Sequence, residues 1–405
     1  MIKIGIIREG KFPPDARVPL TPKQCQHIQT QQNNVEIKVA TSPDRCYKDD
    51  EYQQHGFELQ TNLNDCDILM GVKEVPIDQL VPNKTYFFFS HTIKKQSYNR
   101  DLLLAILEKN IRLLDYEVLT NEKGQRLIAF GKFAGMVGAH NALLTYGKRV
   151  GTLDLPRMKD CYDYAEAVGI YQKTDFPPVK IVLTGTGRVG QGAAQVLTDM
   201  GIAQVKPQDF LQQDYPHAVF TQLSVRDYVM PKENKTTWEI QDFYQQPQQF
   251  KSIFEPYTQV ADIMINGIYW DNNAPAFFTS ADMRRPDFNI KVIADVTCDI
   301  APVSSIPSTL RASTIASPFF GYDPQTEMET VPFQAHVVDM MTIDNLPNEL
   351  PRDASEAFGA QFIADILPEL LTENSGVIER ATVAVDGKLG PHFQYLADYV
   401  AGETV

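Results

Sequence analysis

Charged side chains that could move protons stand directly after two apolar runs near the start of the chain. Lys73 and Glu74 follow the run 68–72 (ILMGV), and His91 comes just after 86–89 (YFFF). Ligands of parallel sheets bind at the carboxyl ends of the strands. Burial can lower the pKa of Lys73 until its amine is a usable base, whereas Glu74 opposes that change. If the two strands are neighbours, Lys73 and His91 face one cleft as an acid–base pair. The sequence alone does not exclude the alternative that Lys73 and His91 are two unrelated side chains at strand ends.

An arginine that could hold a carboxylate lies in the loop 15–19 (DARVP), after the first predicted strand. The guanidinium of Arg17 can bind a carboxylate through two parallel hydrogen bonds, as an amino-acid or keto-acid substrate would require. An arginine in a loop is also a common surface residue, so this position by itself does not decide between the two interpretations.

A glycine-rich sequence, GTGRVG at 185–190, follows the apolar run 180–184 and precedes a predicted helix. In this strand–loop–helix context Gly185 permits the tight turn, and Gly187 lets the backbone approach a pyrophosphate. Gly190 lets the helix lie close to the strand. The exposed amides at the start of the helix would bind the phosphates. The loop therefore predicts dinucleotide binding, with a simple tight turn as the alternative.

The identity of the dinucleotide depends on the residues about twenty positions after the loop. Asp209 is the candidate for binding the ribose hydroxyls, and a solvated loop residue is the alternative interpretation of it. Apart from Lys206, that stretch offers no basic residue suited to a 2′-phosphate. We therefore expect NAD rather than NADP.

Alternating strands and helices must position these residues. Apolar runs that read as strands occupy 3–8, 35–40, 68–73, 86–90, 112–116, 179–183, 202–205, 263–265 and 292–295. This alternation predicts an α/β fold with two Rossmann-like domains, parallel sheets and an active-site cleft between the domains. A helix at 131–152, rich in small residues, would lead from the first domain to the second.

The domain boundaries follow from these elements. Residues 1–140 together with 320–405 are expected to form a discontinuous substrate and catalytic domain, and 141–319 an NAD-binding Rossmann domain. The Gln-rich segment 208–259 is interpreted as an insertion at the sheet edge.

Bulk composition excludes several classes of protein. The chain has 405 residues, 43% of them hydrophobic and 22% charged, and a formal net charge of −14. Such acidity argues against a nucleic-acid partner. The five cysteines are scattered without a CxxC pair, and the seven histidines are dispersed, so we expect reduced thiols and no metal site. No run is long enough for a membrane span, and the start does not read as a signal peptide. A cytoplasmic protein follows, with its oligomeric state left open.

The assembled pattern resembles the alanine dehydrogenase and transhydrogenase superfamily, and within it the NAD-dependent, lysine-forming saccharopine dehydrogenases. The motifs that carry the resemblance extend over nearly the whole chain: 16–17 (AR) with 20–22 (LTP), 72–74 (VKE), 89–91 (FSH), 114–117 (LDYE), 129–131 (AFG) with 134–135 (AG), 185–193 (GTGRVGQGA), 261–263 (ADI) with 266–269 (NGIY), 294–296 (ADV), and 343–347 (IDNLP) with 350–352 (LPR) and 354–355 (AS).

The resemblance implies roles for the polar residues of the first domain. Lys73 would take a proton from the substrate's secondary amine, and His91 would act as acid and base in the hydrolysis of the resulting imine. Glu74 and Glu117 match carboxylates that tune those two groups. The carboxylates of an amino-acid or keto-acid substrate would be held by Arg17 and Arg126.

The glycine loop and the resemblance together give the set of expected NAD-binding residues: Gly185, Gly187, Arg188, Val189, Gly190, Asp209, Asp299 and Asp344. Asp299 matches an aspartate of the alanine dehydrogenase branch, and Asp344 lies in a loop that would approach the nicotinamide. The chain departs from the family in the disturbed strand before Asp209 and in Asn345, where a histidine is common.

Three functions remain open at this point. The leading one is reversible NAD-dependent cleavage of saccharopine to L-lysine and 2-oxoglutarate. The second is an alanine dehydrogenase or another imine-forming amino-acid dehydrogenase, which would need a smaller pocket and one carboxylate-binding arginine. The third is a nucleotide-binding subunit without chemistry of its own, of the transhydrogenase type, which Lys73 and His91 argue against.

Overall fold

The computed structural model describes residues 1–233 and 237–403. The chain forms two compact units, unit 1 from residues 1–130 with 351–405 and unit 2 from residues 131–350. The predicted ranges differ from these at both boundaries: residues 131–140 and 320–350 belong to unit 2.

The first segment of unit 1 alternates strands and helices. Its strands are β1 (Ile2–Ile6), β2 (Val35–Ala40), β3 (Leu59–Gln60), β4 (Ile68–Met70), β5 (Thr85–Phe88) and β6 (Arg112–Asp115), and its helices are α1 (Pro22–Gln31), α2 (Asp49–Gln54) and α3 (Arg100–Glu108). The start of α1 shows how local sequence sets an element. Thr21 Oγ1 accepts the N–H of Gln24, the Gln24 side chain accepts the N–H of Thr21, and Pro22 occupies the first turn.

Unit 2 begins with a long helix and continues with strands that alternate with helices. Its strands are β7 (Lys180–Thr184), β8 (Ala203–Gln204), β9 (Val219–Leu223), β10 (Val229–Pro231), β11 (Phe250–Ser252), β12 (Ile263–Asn266), β13 (Val292–Asp295), β14 (Phe319–Asp323), β15 (Met328–Thr330) and β16 (Val338–Met341). Its helices are α4 (Gly131–Val150), α5 (Tyr164–Tyr171), α6 (Arg188–Asp199), α7 (Pro207–Gln212), α8 (Val225–Tyr228), α9 (Ile240–Gln245), α10 (Glu255–Val260) and α11 (Ser280–Met283).

The chain then returns to unit 1. Helix α12 (Pro351–Gln361) passes through a π-helical turn at Phe362–Ile366 into α13 (Leu367–Leu370), followed by α14 (Gly376–Ala381), β17 (Thr382–Val385), β18 (Lys388–Leu389) and α15 (Ala397–Ala401). This return was expected from the sequence, although it starts about thirty residues later than predicted.

The sheet of unit 1 has eight strands in the order β18-β17-β6-β5-β4-β1-β2-β3. Strands β1 to β6 pair in parallel, and β17 and β18 add antiparallel at one side. Strands β4 and β5 are continuous apolar runs because helices cover both faces of a parallel sheet. Buried residues such as Leu69, Tyr86 and Leu103 form the core on one face.

The main sheet of unit 2 has the order β15-β14-β16-β13-β12-β7-β9-β8, and β14 runs antiparallel to both of its neighbours, β16 and β15. The α/β class with two sheets is therefore confirmed, but each sheet is mixed rather than purely parallel. Strands β14 and β16 continue the sheet beside β13, which places residues 320–350 in unit 2.

The interpretation of 208–259 as an edge insertion is wrong in part. Strand β9 lies inside the sheet between β7 and β8, and only the following stretch adds a separate two-stranded sheet, β10-β11. Phe243 and Phe250 pack into the core of unit 2. The Gln-rich segment therefore contains apolar side chains that attach it to the rest of the unit. The prediction extended over residues 234–236, which lie outside the described part of the chain.

The described residues contain neither a membrane-spanning helix nor a cluster of metal ligands. No helix within 1–233 and 237–403 is long and apolar enough to cross a membrane. Over the same ranges, no group of three or more His, Cys, Asp and Glu side chains is arranged to hold a metal ion.

Candidate active site

The carboxyl ends of four neighbouring parallel strands of unit 1 carry the charged residues. Pairing aligns Ile6 of β1 with Met70 of β4, Met70 with Phe87 of β5, and Phe88 with Asp115 of β6. The chain leaves each strand at the same edge of the sheet, as expected for a ligand-binding edge. The residues that follow the strands are Glu9 after β1, Lys73 and Glu74 after β4, His91 after β5, and Glu117 after β6.

Glu74 and His91 form a close pair. His91 Nδ1 donates to Glu74 Oε1 at 2.6 Å, and Lys11 Nζ lies 2.7 Å from Glu74 Oε2. Burial opposes ionisation of Glu74, but the bond from His91 and the ion pair with Lys11 lower its pKa to about 2. Because the ionised carboxylate keeps a proton on Nδ1, proton exchange with a substrate is left to Nε2.

The backbone of His91 is held in an unusual conformation. Its φ is 53° and its ψ is 10°, in the left-handed region that non-glycine residues seldom adopt. The preceding residue, Ser90, is buried and bound to Asp115, whose Oδ2 accepts the Ser90 N–H at 3.0 Å. Such conformations persist only where the surroundings impose them. The position of the imidazole is therefore set by the Ser90–Asp115 bond in the backbone before it and by the bond from its own Nδ1 to Glu74.

Lys73 is half-buried next to Arg17. Burial, followed by the charge of the Arg17 guanidinium, lowers the pKa of the Lys73 amine, while Glu74 and Asp15 act against that change. The direction is the one that a proton-accepting lysine requires. Strands β4 and β5 are neighbours, and Glu74, which bonds to His91, directly follows Lys73 in the chain. That Lys73 and His91 face one cleft stays a prediction.

Arg17 is 3% exposed and already has a carboxylate partner. Its Nε and Nη2 donate to Asp15 Oδ1 and Oδ2 at 2.9 and 2.6 Å, and its guanidinium lies 4.3 Å from the ring centroid of Phe130. Arg17 is therefore a fixed, buried residue rather than a surface arginine. A substrate carboxylate at this position would bind a guanidinium that Asp15 already partly neutralises.

Arg126 and Glu117 bind each other. Arg126 Nη2 donates to Glu117 Oε1 at 2.9 Å, and Lys94 Nζ lies 3.2 Å from the same oxygen. Burial opposes ionisation of Glu117, but these cations and His91 lower its pKa. The second carboxylate oxygen, Oε2, is buried and accepts no hydrogen bond from the residues that the structure describes. Glu117 thus presents one unused acceptor oxygen in the neighbourhood of Lys94, Arg126 and His91.

Several members of this cluster were missed by the sequence reasoning. Lys11 lies in a loop and Lys94 at the end of the 3-10 turn Thr92–Lys94, and a lysine at such a position gives no signal of pairing. Asp115 lies inside the motif 114–117, and Glu9 directly follows the first predicted strand, but neither received a role. Burial, together with the charge of Asp15, raises the pKa of Glu9 to about 8, and burial raises that of Asp115. An acidic residue within three positions of a buried strand end was the available signal.

In unit 2 the glycine loop has the geometry that the sequence predicted for it. Gly185 has a φ of 97°, and a Cβ there would lie 2.5 Å from the Gly267 carbonyl oxygen. A Cβ on Gly190 would lie 2.1 Å from the Gly185 oxygen, whereas nothing lies within 4 Å of one on Gly187. Helix α6 starts at Arg188, so its first amides and the open side of Gly187 fit a phosphate group. Val189 follows in the same helical turn.

The three aspartates predicted to bind the cofactor lie at different places. Asp209 is inside α7, where its Oδ1 accepts Gln213 Nε2 at 3.3 Å, and not at the end of β8, which stops at Gln204. Asp299 and Asp344 follow the adjacent strands β13 and β16, and both lie near Cys298. Their contact with NAD, and that of Asp209, stays a prediction.

Comparison with known proteins gives a consistent assignment. Residues 5–137 match the family described as alanine dehydrogenase/PNT, N-terminal domain. The chain is 27% identical over 373 residues to the saccharopine dehydrogenase [NAD(+), L-lysine-forming] of Neurospora crassa, covering 87% of this chain and 88% of that protein. The chain resembles the saccharopine dehydrogenases of this superfamily. This confirms the predicted resemblance and the oxidoreductase class.

Two further matches extend the comparison. The mitochondrial alpha-aminoadipic semialdehyde synthase of Bos taurus is 29% identical over 437 residues, covering 94% of this chain but 46% of that protein. The chain thus spans slightly less than half the length of this relative. A solved L-alanine dehydrogenase has a TM-score of 0.65 at 14% identity, covering 98% of this chain and all of the other. At that identity the match establishes the fold alone.

Proposed function

We propose that this protein is an NAD-dependent oxidoreductase that cleaves saccharopine reversibly to L-lysine and 2-oxoglutarate. The observation that carries the proposal is the placement of Lys73 and the Glu74–His91 pair at the ends of adjacent strands. The reaction needs two groups of different basicity. One must deprotonate a secondary amine before its neighbouring carbon loses a hydride, and the other must assist the hydrolysis of the imine that results.

The residues divide these tasks. The Lys73 amine, whose pKa burial lowers, takes the proton from the substrate nitrogen. His91, with Nδ1 bonded to Glu74, takes a proton from the water that adds to the imine and returns one to the nitrogen that leaves as lysine. Arg17 and Arg126 would hold carboxylates of the substrate. Arg17 supports a fixed orientation because both Asp15 and the Phe130 ring hold its guanidinium.

NAD would supply the acceptor for the hydride. Residues of unit 2 fit such a group, because Gly185, Gly187 and Gly190 leave a cradle that side chains would fill or clash with. The matching fungal enzymes carry NAD(+) in their names, which supports NAD as the dinucleotide. The binding residues proposed for it are the loop from Gly185 to Gly190 together with Asp209, Asp299 and Asp344.

The first test is NADH oxidation in ammonia-free buffer. We expect turnover with 2-oxoglutarate plus lysine and none with pyruvate plus ammonia. Replacing Lys73 by Met should lower kcat by about 10²-fold or more, whereas Lys23→Met, at an exposed position on α1, should not change it. Turnover with pyruvate and ammonia alone would instead assign an alanine dehydrogenase, and activity that survives Lys73→Met would remove Lys73 from the mechanism.

A further inference from the structure

Glu9 makes a bidentate contact with the loop that carries Lys73. Its Oε1 accepts the N–H of Val72 at 2.6 Å, and its Oε2 accepts the N–H of Lys73 at 2.9 Å. Both oxygens of one carboxylate are therefore used on two consecutive amides of a neighbouring strand end.

This contact begins where the backbone pairing of β1 and β4 ends. Ile6 is the last residue of β1 in register with β4, and the Ile7 N–H still donates to the Met70 oxygen at 3.0 Å. Beyond that point, within the described residues, no backbone hydrogen bond joins the segment after β1 to the segment after β4. The Glu9 side chain instead accepts the next two N–H groups, those of Val72 and Lys73. The carboxylate thus extends the pairing as far as Lys73.

Gly71 makes room for this arrangement. A Cβ at Gly71 would lie 2.8 Å from Ile7 Cδ1 and 3.1 Å from Glu9 Oε1. The segment after β4 is therefore packed closely against the segment after β1. The loop of His91 is held in a comparable way, because Asp115 accepts the Ser90 N–H and, at 2.7 Å, the Glu117 N–H.

We propose that Glu9 is a positioning residue: its carboxylate holds the Val72–Lys73 backbone and thereby fixes the site from which the Lys73 amine acts. The inference rests on the proposed function only in taking Lys73 as the base. Glu9 does not touch the substrate in this assignment. Its removal should act on the rate of chemistry and on the surroundings of the lysine, and not on the affinity for the substrate.

The test compares Glu9→Gln with a matched control. Asp67 joins the same two strands at their other ends, since its Oδ2 accepts the N–H of Lys3 at 2.8 Å. We expect Glu9→Gln to lower kcat at least about tenfold with KM changed less than about threefold, because a misplaced base costs transition-state stabilisation. Asp67→Asn should leave both constants within about twofold of the wild type.

A second measurement does not depend on turnover. The pH dependence of Lys73 acylation by an amine-reactive reagent, followed by peptide mass spectrometry, reports the surroundings of the amine directly. In Glu9→Gln the midpoint should rise by about 0.5 pH unit or more, because a loosened loop exposes the amine to water. Asp67→Asn should leave it unchanged. If the wild type turns over no substrate pair, the proposed function fails, but this measurement still decides the role of Glu9.

Hydrogen exchange of the wild-type protein covers the case in which Glu9→Gln does not fold. The amides of Val72 and Lys73 should be protected from exchange, although they lie outside β4. Rapid exchange of these two amides would overturn the proposal. A folded Glu9→Gln variant with unchanged kcat and unchanged Lys73 acylation would overturn it equally.

Discussion

At the scale of single residues, carboxylates in unit 1 have two different tasks. Glu74 bonds directly to the His91 ring and stays ionised, whereas Glu9 and Asp115 bind backbone amides. The resemblance to the saccharopine dehydrogenases implied a carboxylate of the first kind at Glu74. It did not predict the second kind, because which amides a carboxylate reaches depends on the pairing of strands distant in the chain.

A buried histidine in unit 2 makes stability depend on pH. His140 Nδ1 lies 2.7 Å from the Tyr171 hydroxyl, and Nε2 lies 2.8 Å from the Pro156 oxygen. Burial lowers the pKa of His140 from 6.5 to about 4. Between those two values the unfolded chain binds the proton and the folded chain does not. The free energy of unfolding therefore falls as the pH drops from about 6.5 to 4, by up to about 3 kcal/mol.

Urea unfolding at several pH values between 7 and 4 checks this expectation. His140→Gln should flatten the decline, whereas His217→Gln, at an exposed histidine of the same unit, should keep it. An equally steep decline in the His140 variant would assign the effect to other groups.

At the scale of elements, helices α4 and α6 pack with their backbones in contact. A Cβ on Gly135 would lie 1.9 Å from the Val189 oxygen, and one on Gly192 would lie 2.0 Å from the Lys132 oxygen. The small residues of α4 let the two backbones approach this closely. The partner is α6, the helix that starts at the glycine loop, so the packing fixes the orientation of the amides that would bind phosphate.

Substitution of Gly192 by Ala should therefore destabilise unit 2 by about 1–3 kcal/mol, because backbone atoms must move apart. NADH binding should weaken along with it. The matched control is Gly169→Ala in α5, where nothing lies within 4 Å of the added carbon; it should stabilise by about 0.5–1 kcal/mol. Urea unfolding and NADH fluorescence give both quantities. An unchanged midpoint in Gly192→Ala would show that the two helices can separate without cost.

Elements with clear apolar runs could be predicted from the sequence, and those that depend on tertiary pairing could not. Strand β9 belongs to the second kind, because its place between β7 and β8 follows from the register with Lys180–Thr184. Asp209 lies at the distance expected of a ribose-binding acid, but Pro207 starts a helix there and carries it away from the strand end.

At the scale of the whole molecule, unit 2 is a continuous segment within a discontinuous unit 1. Every strand of its sheet comes from 131–350, and so do α4 and α6. We expect this segment, expressed alone, to fold cooperatively and to bind NADH, as measured by circular dichroism and fluorescence. Residues 1–130 alone should not fold stably, because they lack β17 beside β6. A segment 131–350 that remains unfolded would contradict its independence.

Because β17 follows β6 by more than 260 residues, β6 gains this neighbour only late in protein synthesis. While the ribosome makes the intervening residues, the outer side of β6 has no neighbour to bond, although Asp115 and Glu117 have long been incorporated. At ~5–20 residues per second this interval lasts on the order of tens of seconds. An open strand edge of that kind invites association with other chains. All residues of unit 2 are therefore synthesised before β6 gains β17 as its second neighbour, and the sheet of unit 1, which carries Lys73, Glu74 and His91 at its strand ends, is completed last.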